Sequence, residues 1–194
     1  FKYALWEKYN LDSARHSWVG EYNLYLALAR PLMAALGVIG AEAGLGHGEK
    51  LLVGHEWLAV PTLLASQFDQ PGQWRTVFFA HEMAAARRLI EDRAGHDTSF
   101  YNALYKAKEW NVGLEAVFGL QDDDHKHALT RLATRCDRIV AVGDRVVEEL
   151  RFLGGRFTNA PISVVYNGVN AESIAPADRR AARDRLRAYA ENLL

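Results

Sequence analysis

Two short apolar runs of this chain each end at a His-Glu pair. Residues 51–54 precede His55 and Glu56, and residues 76–80 precede His81 and Glu82. Uninterrupted apolar runs of this length are typical of strands in a parallel sheet. The carboxyl ends of parallel strands share one edge, and ligands of open α/β sheets bind there. We therefore expect both His-Glu pairs to face one crevice.

Strand-like and helix-like stretches alternate along the rest of the chain. The predicted strands cover residues 51–54, 76–80, 138–142 and 162–166. The predicted helices cover residues 18–36 with a kink at Pro31, 58–68, 83–91, 100–110, 122–135, 145–153 and 177 onward. Residues 37–48 hold five glycines and are predicted to form a loop. This alternation predicts an α/β fold, with a parallel, Rossmann-like sheet and helices on both faces.

Charge and cysteine content exclude several classes of protein. Among 194 residues, 23 Lys and Arg stand against 24 Asp and Glu, so no global positive field attracts nucleic acid, and we expect no such partner. Cys136 is the only cysteine, which rules out an internal disulfide and favours a cytoplasmic protein. We expect Cys136 to be a small core residue. No uninterrupted apolar run approaches about 18 residues, which predicts no membrane span.

The two His-Glu pairs are the main candidates for chemistry. An imidazole beside a carboxylate can exchange a proton near neutral pH or donate a hydrogen bond to a sugar hydroxyl. The alternative is a histidine that only caps the following helix or bonds a backbone carbonyl. Metal binding is a further alternative, but the chain lacks the His-x-x-x-His and Cys-x-x-Cys spacings, and we expect no metal. His125 and His127 should diverge on a helix and face solvent.

Arginine and aromatic residues are weaker candidates. Arg87 and Arg88 follow the second strand, where a guanidinium can bind a phosphate, although a solvated helix face accounts for most such pairs and is favoured by the spacing alone. Trp57 and Tyr101 are candidates for stacking on a sugar ring. The aromatic residues Phe100 and Trp110 are assigned to the core.

Several glycine motifs are missing after the strands. Neither a Gly-x-Gly-x-x-Gly run nor a phosphate-binding loop follows any of them, so we expect no dinucleotide cofactor. A Gly-x-Ser-x-Gly elbow is also absent, which disfavours the common serine hydrolases.

The order of the motifs resembles the N-terminal half of glycogen synthases. These belong to the retaining glycosyltransferases built from two facing Rossmann-like domains, the GT-B architecture. The matching pieces are, in chain order, His55-Glu56-Trp57-Leu58-Ala59, His81 with Arg87, Phe100-Tyr101-Asn102, Cys136-Asp137-Arg138-Ile139-Val140-Ala141-Val142 and Val165-Tyr166-Asn167-Gly168-Val169-Asn170. The His-Glu-Trp and Phe-Tyr-Asn forms are closer to the animal and fungal enzymes than to bacterial starch synthases.

The resemblance implies an enzyme that transfers glucose from UDP-glucose or ADP-glucose to the end of an α-1,4-glucan, with retention at the anomeric carbon. It places His81 against the transferred sugar as the catalytic candidate and Arg87 near the donor phosphates. The remaining substrate-binding candidates that it implies are His55, Glu56, Trp57, Tyr101, Asn102 and Asn167.

The resemblance also implies a domain organisation. Residues 1–176 would form the acceptor-side domain, and residues 177–194 a helical linker toward a C-terminal donor-binding domain. The chain departs from the family pattern in two places: no glycine-rich loop with a lysine opens it, and Gly143-Asp144 stands where a serine or threonine is common. We therefore expect this chain alone to be inactive. The alternatives are a related transferase with another acceptor, or a glycan-binding module without catalysis.

Overall fold

Four parallel strands form one sheet in a computed structural model that describes residues 1–44, 48, 50–83, 88–90, 94–168 and 175–192. The strands, in spatial as in chain order, are β1 Lys50–His55, β2 Trp74–Ala80, β3 Arg138–Ala141 and β4 Ile162–Val164. The helices are α1 Lys2–Tyr9, α2 Gly20–Glu42, α3 Glu56–Asp69, α4 His96–Glu109, α5 Leu114–Phe118, α6 His125–Leu132, α7 Asp144–Phe152 and α8 Pro176–Glu191. The predicted α/β class and parallel sheet are confirmed.

Helices flank the sheet because each strand pair is joined by a helical crossover. Helix α3 connects β1 to β2, and α7 connects β3 to β4. In the sheet, Gly54 lies opposite Phe78, and Phe78 lies opposite Ile139, so these residues share one face. Phe78 and Ile139 are 1% and 4% exposed. The main core therefore lies between this face and the helices.

Gly54 allows α3 to pack closely on the sheet. A Cβ atom at this position would lie 2.7 Å from Cδ1 of Leu63 and 2.9 Å from Cβ of Ala59. Both contacts are shorter than side chains tolerate, so a larger residue would push α3 away from β1. The glycine two positions before Glu56 is therefore a packing requirement.

The opposite face of the sheet is more open in the described structure. Leu51 and Val53 on β1 are 62% and 42% exposed, and Val165 after β4 is 51% exposed. His55 and Phe79 lie opposite each other in the register of β1 and β2, on this same face. Both His-Glu pairs therefore lie at the carboxyl edge of the sheet, next to this accessible face.

Helix α2 differs from its prediction. It runs without a break through Pro31 and through two glycines of the expected loop, to Glu42. Its buried residues Tyr22, Leu26, Ala29 and Met33 recur at helical spacing, and this face packs against α3. Tertiary packing thus outweighs the local cost of proline and glycine.

In length and composition α2 also matches a membrane-spanning helix, with a mean hydropathy of 1.7 in its most apolar window. Only 17% of that window is buried, although the buried face of α2 contributes to the core. The absence of a membrane span stays a prediction.

Other predictions have mixed outcomes. The helix predicted over residues 83–91 lies mostly outside the described residues, although 88–90 are helical. Phe100 is buried as expected, whereas Trp110 is 66% exposed, so its assignment to the core is wrong. Cys136 packs against the core, and burial raises the pKa of its thiol to about 12. Helix α8 has no buried residue, and the domain boundary at 176 stays a prediction.

Candidate functional site at the carboxyl edge of the sheet

His55, the last residue of β1, and His81, which follows β2, meet at the carboxyl edge. Nδ1 of His55 lies 2.7 Å from Nε2 of His81, and the two ring centroids are 5.0 Å apart. The ring of Phe79 stacks on both, at 5.2 Å from His55 and 4.9 Å from His81. Both histidines are exposed. The predicted juxtaposition of the two imidazoles is confirmed, and neither ring is closed off in the core.

Glu56 fixes the turn that carries His81. Its Oε1 accepts hydrogen bonds from the backbone amide of His81 and, at 2.9 Å, from that of Glu82. Glu56 has a φ of +62°, a left-handed conformation that a residue with a side chain rarely adopts. The His55 side chain makes no capping hydrogen bond to α3. The strained residue is thus the one whose carboxylate holds the neighbouring strand end.

Glu149 of α7 holds the same turn from another side. The backbone amide of Met83 donates to its carboxylate, and the hydroxyl of Tyr101 donates to Oε1 at 3.1 Å. The guanidinium of Arg145 lies over the Tyr101 ring, 4.8 Å from the centroid. Three consecutive backbone amides, at residues 81 to 83, are therefore bound by two carboxylates from two different helices.

Burial changes the acidity of both carboxyl groups. It raises the pKa of Glu56, although the amides of residues 81 and 82 oppose the change. It also raises the pKa of Glu149, against the opposing effects of the Tyr101 hydroxyl and Arg145. Carboxyl groups with raised pKa values near exposed imidazoles are a frequent feature of catalytic sites.

The ends of β3 and β4 contribute a second contact at this edge. The hydroxyl of Tyr166 donates to Oδ2 of Asp144 at 2.7 Å, and this carboxylate raises the pKa of the phenol. Asp144 is the first residue of α7, and Gly143 takes the N-cap position. Asn167 follows as an exposed residue.

The remaining predicted site residues are not all placed together. Arg87 lies outside the described residues. Asn102 is exposed on α4, and Tyr101 points toward Glu149. Trp57 is only 5% exposed and packs edge-on against Tyr25 and His125. The expectation that Trp57 offers a stacking surface for a sugar is therefore corrected, since both faces of its ring are enclosed by protein.

The two histidines of α6 also differ from their prediction. His127 is 1% exposed and His125 is partly buried against Trp57, Tyr22 and His16. They do diverge on the helix, but His127 is buried and His125 is partly buried, so neither faces open solvent. Burial lowers the pKa values of His16, His125 and His127.

Sequence reasoning missed three residues of this edge. Phe79 was treated only as part of a strand, and Glu149 carried no motif. Tyr166 belongs to the matched motif at residues 165–170 but was not singled out as a site residue. The register of β1 and β2 brings Phe79 next to His55, so strand pairing could have identified it. Glu149 and Tyr166 reach the edge through contacts over long sequence separations, which local patterns do not encode.

The fold and this site define the class as a Rossmann-like α/β protein with a polar carboxyl edge. Among the residues that the structure describes, no group of three or more His, Cys, Asp or Glu side chains is placed to hold a metal ion. Comparison of the sequence with models of protein families and with curated proteins finds no match.

Proposed function

We propose that this chain is the acceptor-side domain of a retaining glycosyltransferase similar to glycogen and starch synthases. The full-length enzyme would transfer glucose from UDP-glucose or ADP-glucose to an α-1,4-glucan. The observation that carries the proposal is the 2.7 Å contact between Nδ1 of His55 and Nε2 of His81 at the carboxyl edge. Open α/β sheets bind their ligands at this edge.

The histidine pair suits a sugar whichever ring donates the shared proton. If His55 donates through Nδ1, its Nε2 carries a lone pair and the outer nitrogen of His81 carries the proton. If His81 donates through Nε2, the two outer nitrogens exchange these roles. The neutral pair therefore always offers one donor and one acceptor, which matches neighbouring hydroxyl groups of a pyranose.

Phe79 adds an apolar surface beside these polar atoms. Its ring stacks beside both imidazoles, with interplanar angles of 25° and 27°. Aromatic and imidazole faces next to hydrogen-bonding groups are well suited to the apolar face of a sugar ring. His81 is the proposed catalytic residue, while His55 and Phe79 bind and orient the sugar.

The backbone contacts of Glu56 and Glu149 support this assignment. They hold the turn at residues 81 to 83, so the imidazole of His81 needs little reorganisation when a sugar binds. Stabilisation of the leaving diphosphate is left to the donor-binding side of such an enzyme, which closes on the acceptor side.

Binding of maltoheptaose to this chain, measured by isothermal titration calorimetry, tests the proposal. We expect saturable binding that weakens at least about tenfold in His55→Ala and His81→Ala. Trp110→Ala, which removes an exposed aromatic ring outside the edge, is the matched control and should bind normally. No binding, or equal binding by all four proteins, would contradict the proposal.

A second measurement separates an enzyme from a glycan-binding module. The full-length protein that contains this chain should bind the nucleotide sugar as well as the glucan, and transfer glucose between them. Glucan binding without nucleotide-sugar binding would identify a module and refute the enzyme.

A further inference from the structure

A cavity of about 710 Å³ opens on the amino side of the sheet, away from the two imidazoles of the carboxyl edge. Its wall combines α1 and the turn after it with α6 and the residues that precede β3 and β4. None of its lining residues belongs to the site at the carboxyl edge. The volume is in the range of small-molecule sites, about 300–1,000 Å³.

The charges around this cavity do not cancel. Four arginines and three carboxylates line it, which leaves an excess of one positive charge. Arg15 lies 3.7 Å from both Asp12 and Asp122, and Arg131 lies 3.1 Å from Glu115 and 4.0 Å from Asp122. These two arginines therefore engage all three carboxylates.

The other two arginines, Arg135 and Arg156, have no carboxylate partner within the described part of the chain. The guanidinium of the half-buried Arg135 lies over the ring of Tyr9, 4.8 Å from its centroid, and Arg156 is exposed at the rim. A planar guanidinium binds phosphate through two parallel hydrogen bonds. Two such groups at one cavity favour a doubly charged phosphate.

Two buried histidines in the cavity wall give a second, independent indication of a ligand. His16 and His127 are each 1% exposed. Nδ1 of His16 and both ring nitrogens of His127 have no hydrogen-bond partner among the described residues. Buried polar atoms almost always have a hydrogen-bond partner in native proteins, so we expect a ligand to form hydrogen bonds with these three nitrogen atoms. A neutral imidazole can both donate to and accept from a hydroxyl group.

We propose that this cavity binds a small phosphate monoester with free hydroxyl groups. Arg135 and Arg156 bind the phosphate, and the imidazoles of His16 and His127 pair with the hydroxyls. This site is separate from the proposed glycan site, so its test does not depend on glycosyl transfer. Trp6, which is 51% exposed, also lines the cavity.

Thermal unfolding with glycerol 3-phosphate, inorganic phosphate or glycerol, each at the same ionic strength, tests the proposal. A ligand that binds only the folded state raises the melting temperature in a saturable way. We expect glycerol 3-phosphate to stabilise the chain most, inorganic phosphate less and glycerol not at all. A rise that does not saturate would be a salt effect and would refute the site.

Arg156→Gln is the decisive variant because Arg156 is exposed and its loss leaves the core intact. It should weaken glycerol 3-phosphate binding at least about tenfold. Arg183→Gln on the exposed surface of α8 is the matched control and should bind as the wild type does. Equal binding by the two variants would overturn the proposal. The imidazole NMR resonances of His16 and His127 should also shift on addition of glycerol 3-phosphate but not of sodium chloride.

Discussion

The carboxyl edge and the amino-side cavity both bring polar side chains together. The two regions differ in whether these side chains have hydrogen-bond partners. At the carboxyl edge, Glu56 and Glu149 bind backbone amides, and His55 is paired with His81. In the cavity wall, His127 is buried with no hydrogen-bond partner among the described residues for either ring nitrogen. The first arrangement holds its groups in a fixed geometry, which suits chemistry. The second leaves ring nitrogens unpaired, as expected of the ligand site that we propose.

Trp57 lies in the core and belongs to neither region, and its removal should have the largest effect on stability. Trp57→Ala deletes a ring that is 5% exposed and packs on Tyr25 and His125. We expect a loss of about 3–5 kcal/mol in the free energy of unfolding. Chemical denaturation measures it. Trp110→Ala is the control, and a loss of similar size there would contradict the assignment of Trp57 to the core.

Glu56 tests the fixed geometry of the carboxyl edge. Glu56→Ala leaves the amides of His81 and Glu82 without their acceptor while a Cβ atom remains at a φ of +62°. We expect a loss of about 1–3 kcal/mol in the free energy of unfolding. Glu56→Gly loses the same acceptor but relieves the backbone strain, so it should be about 1 kcal/mol more stable than the alanine variant. The opposite order would show that the backbone there is unstrained.

Substitution of His127 tests whether the ring nitrogens in the wall of the amino-side cavity are unpaired. His127→Leu replaces two unpartnered ring nitrogens by apolar atoms, and it should raise the free energy of unfolding by about 1 kcal/mol. The same variant should weaken binding of glycerol 3-phosphate. A large loss of stability would mean that the imidazole has a partner that stabilises the folded chain.

The same histidines predict acid sensitivity. Burial lowers the pKa values of His16, His125 and His127 below their ordinary 6.5. The unfolded chain therefore binds more protons than the folded chain once the pH falls below 6.5, and stability decreases until the lower folded-state pKa values are passed. Denaturation at several pH values between neutral and about 5.5 measures this loss, which should be smaller in His127→Leu.

Tyr166 should show the smallest effect, because its contact with Asp144 is exposed. Asp144→Asn removes the negative charge that raises the pKa of the phenol. The pKa of Tyr166 should fall toward its ordinary value, as measured by NMR titration of labelled tyrosine, with no measurable change in stability. An unchanged pKa would show that the contact is not formed in solution.

The sequence predicted the strands well because their apolar runs are uninterrupted. The predicted strand at 76–80 lies within the observed Trp74–Ala80, and the predicted positions of His55 and His81 followed from parallel pairing. The glycines at positions 37 and 40 misled the prediction of α2, since the packing of its apolar face against α3 outweighs their low helix propensity.

The details of the two sites were less predictable. The spacing of His125 and His127 correctly implied divergence, but it did not show that His127 is buried and that His125 packs against Trp57. Glu149 accepts hydrogen bonds from Met83 and Tyr101, which are far from it in the chain. The conformation of Glu56 depends on the turn at residues 81 to 83 that its carboxylate binds. Such features arise from tertiary contacts and not from any local pattern.

Hydrogen bonds to two helices hold the turn at residues 81 to 83, so the position of His81 depends on both helices. Glu56 ties its turn to α3, and Glu149 ties the next residue to α7. These helices belong to different crossovers of the sheet, so a sliding or tilting of either one displaces the imidazole. A partner that displaces α7 from its outer surface would therefore move the imidazole of His81 without contacting it.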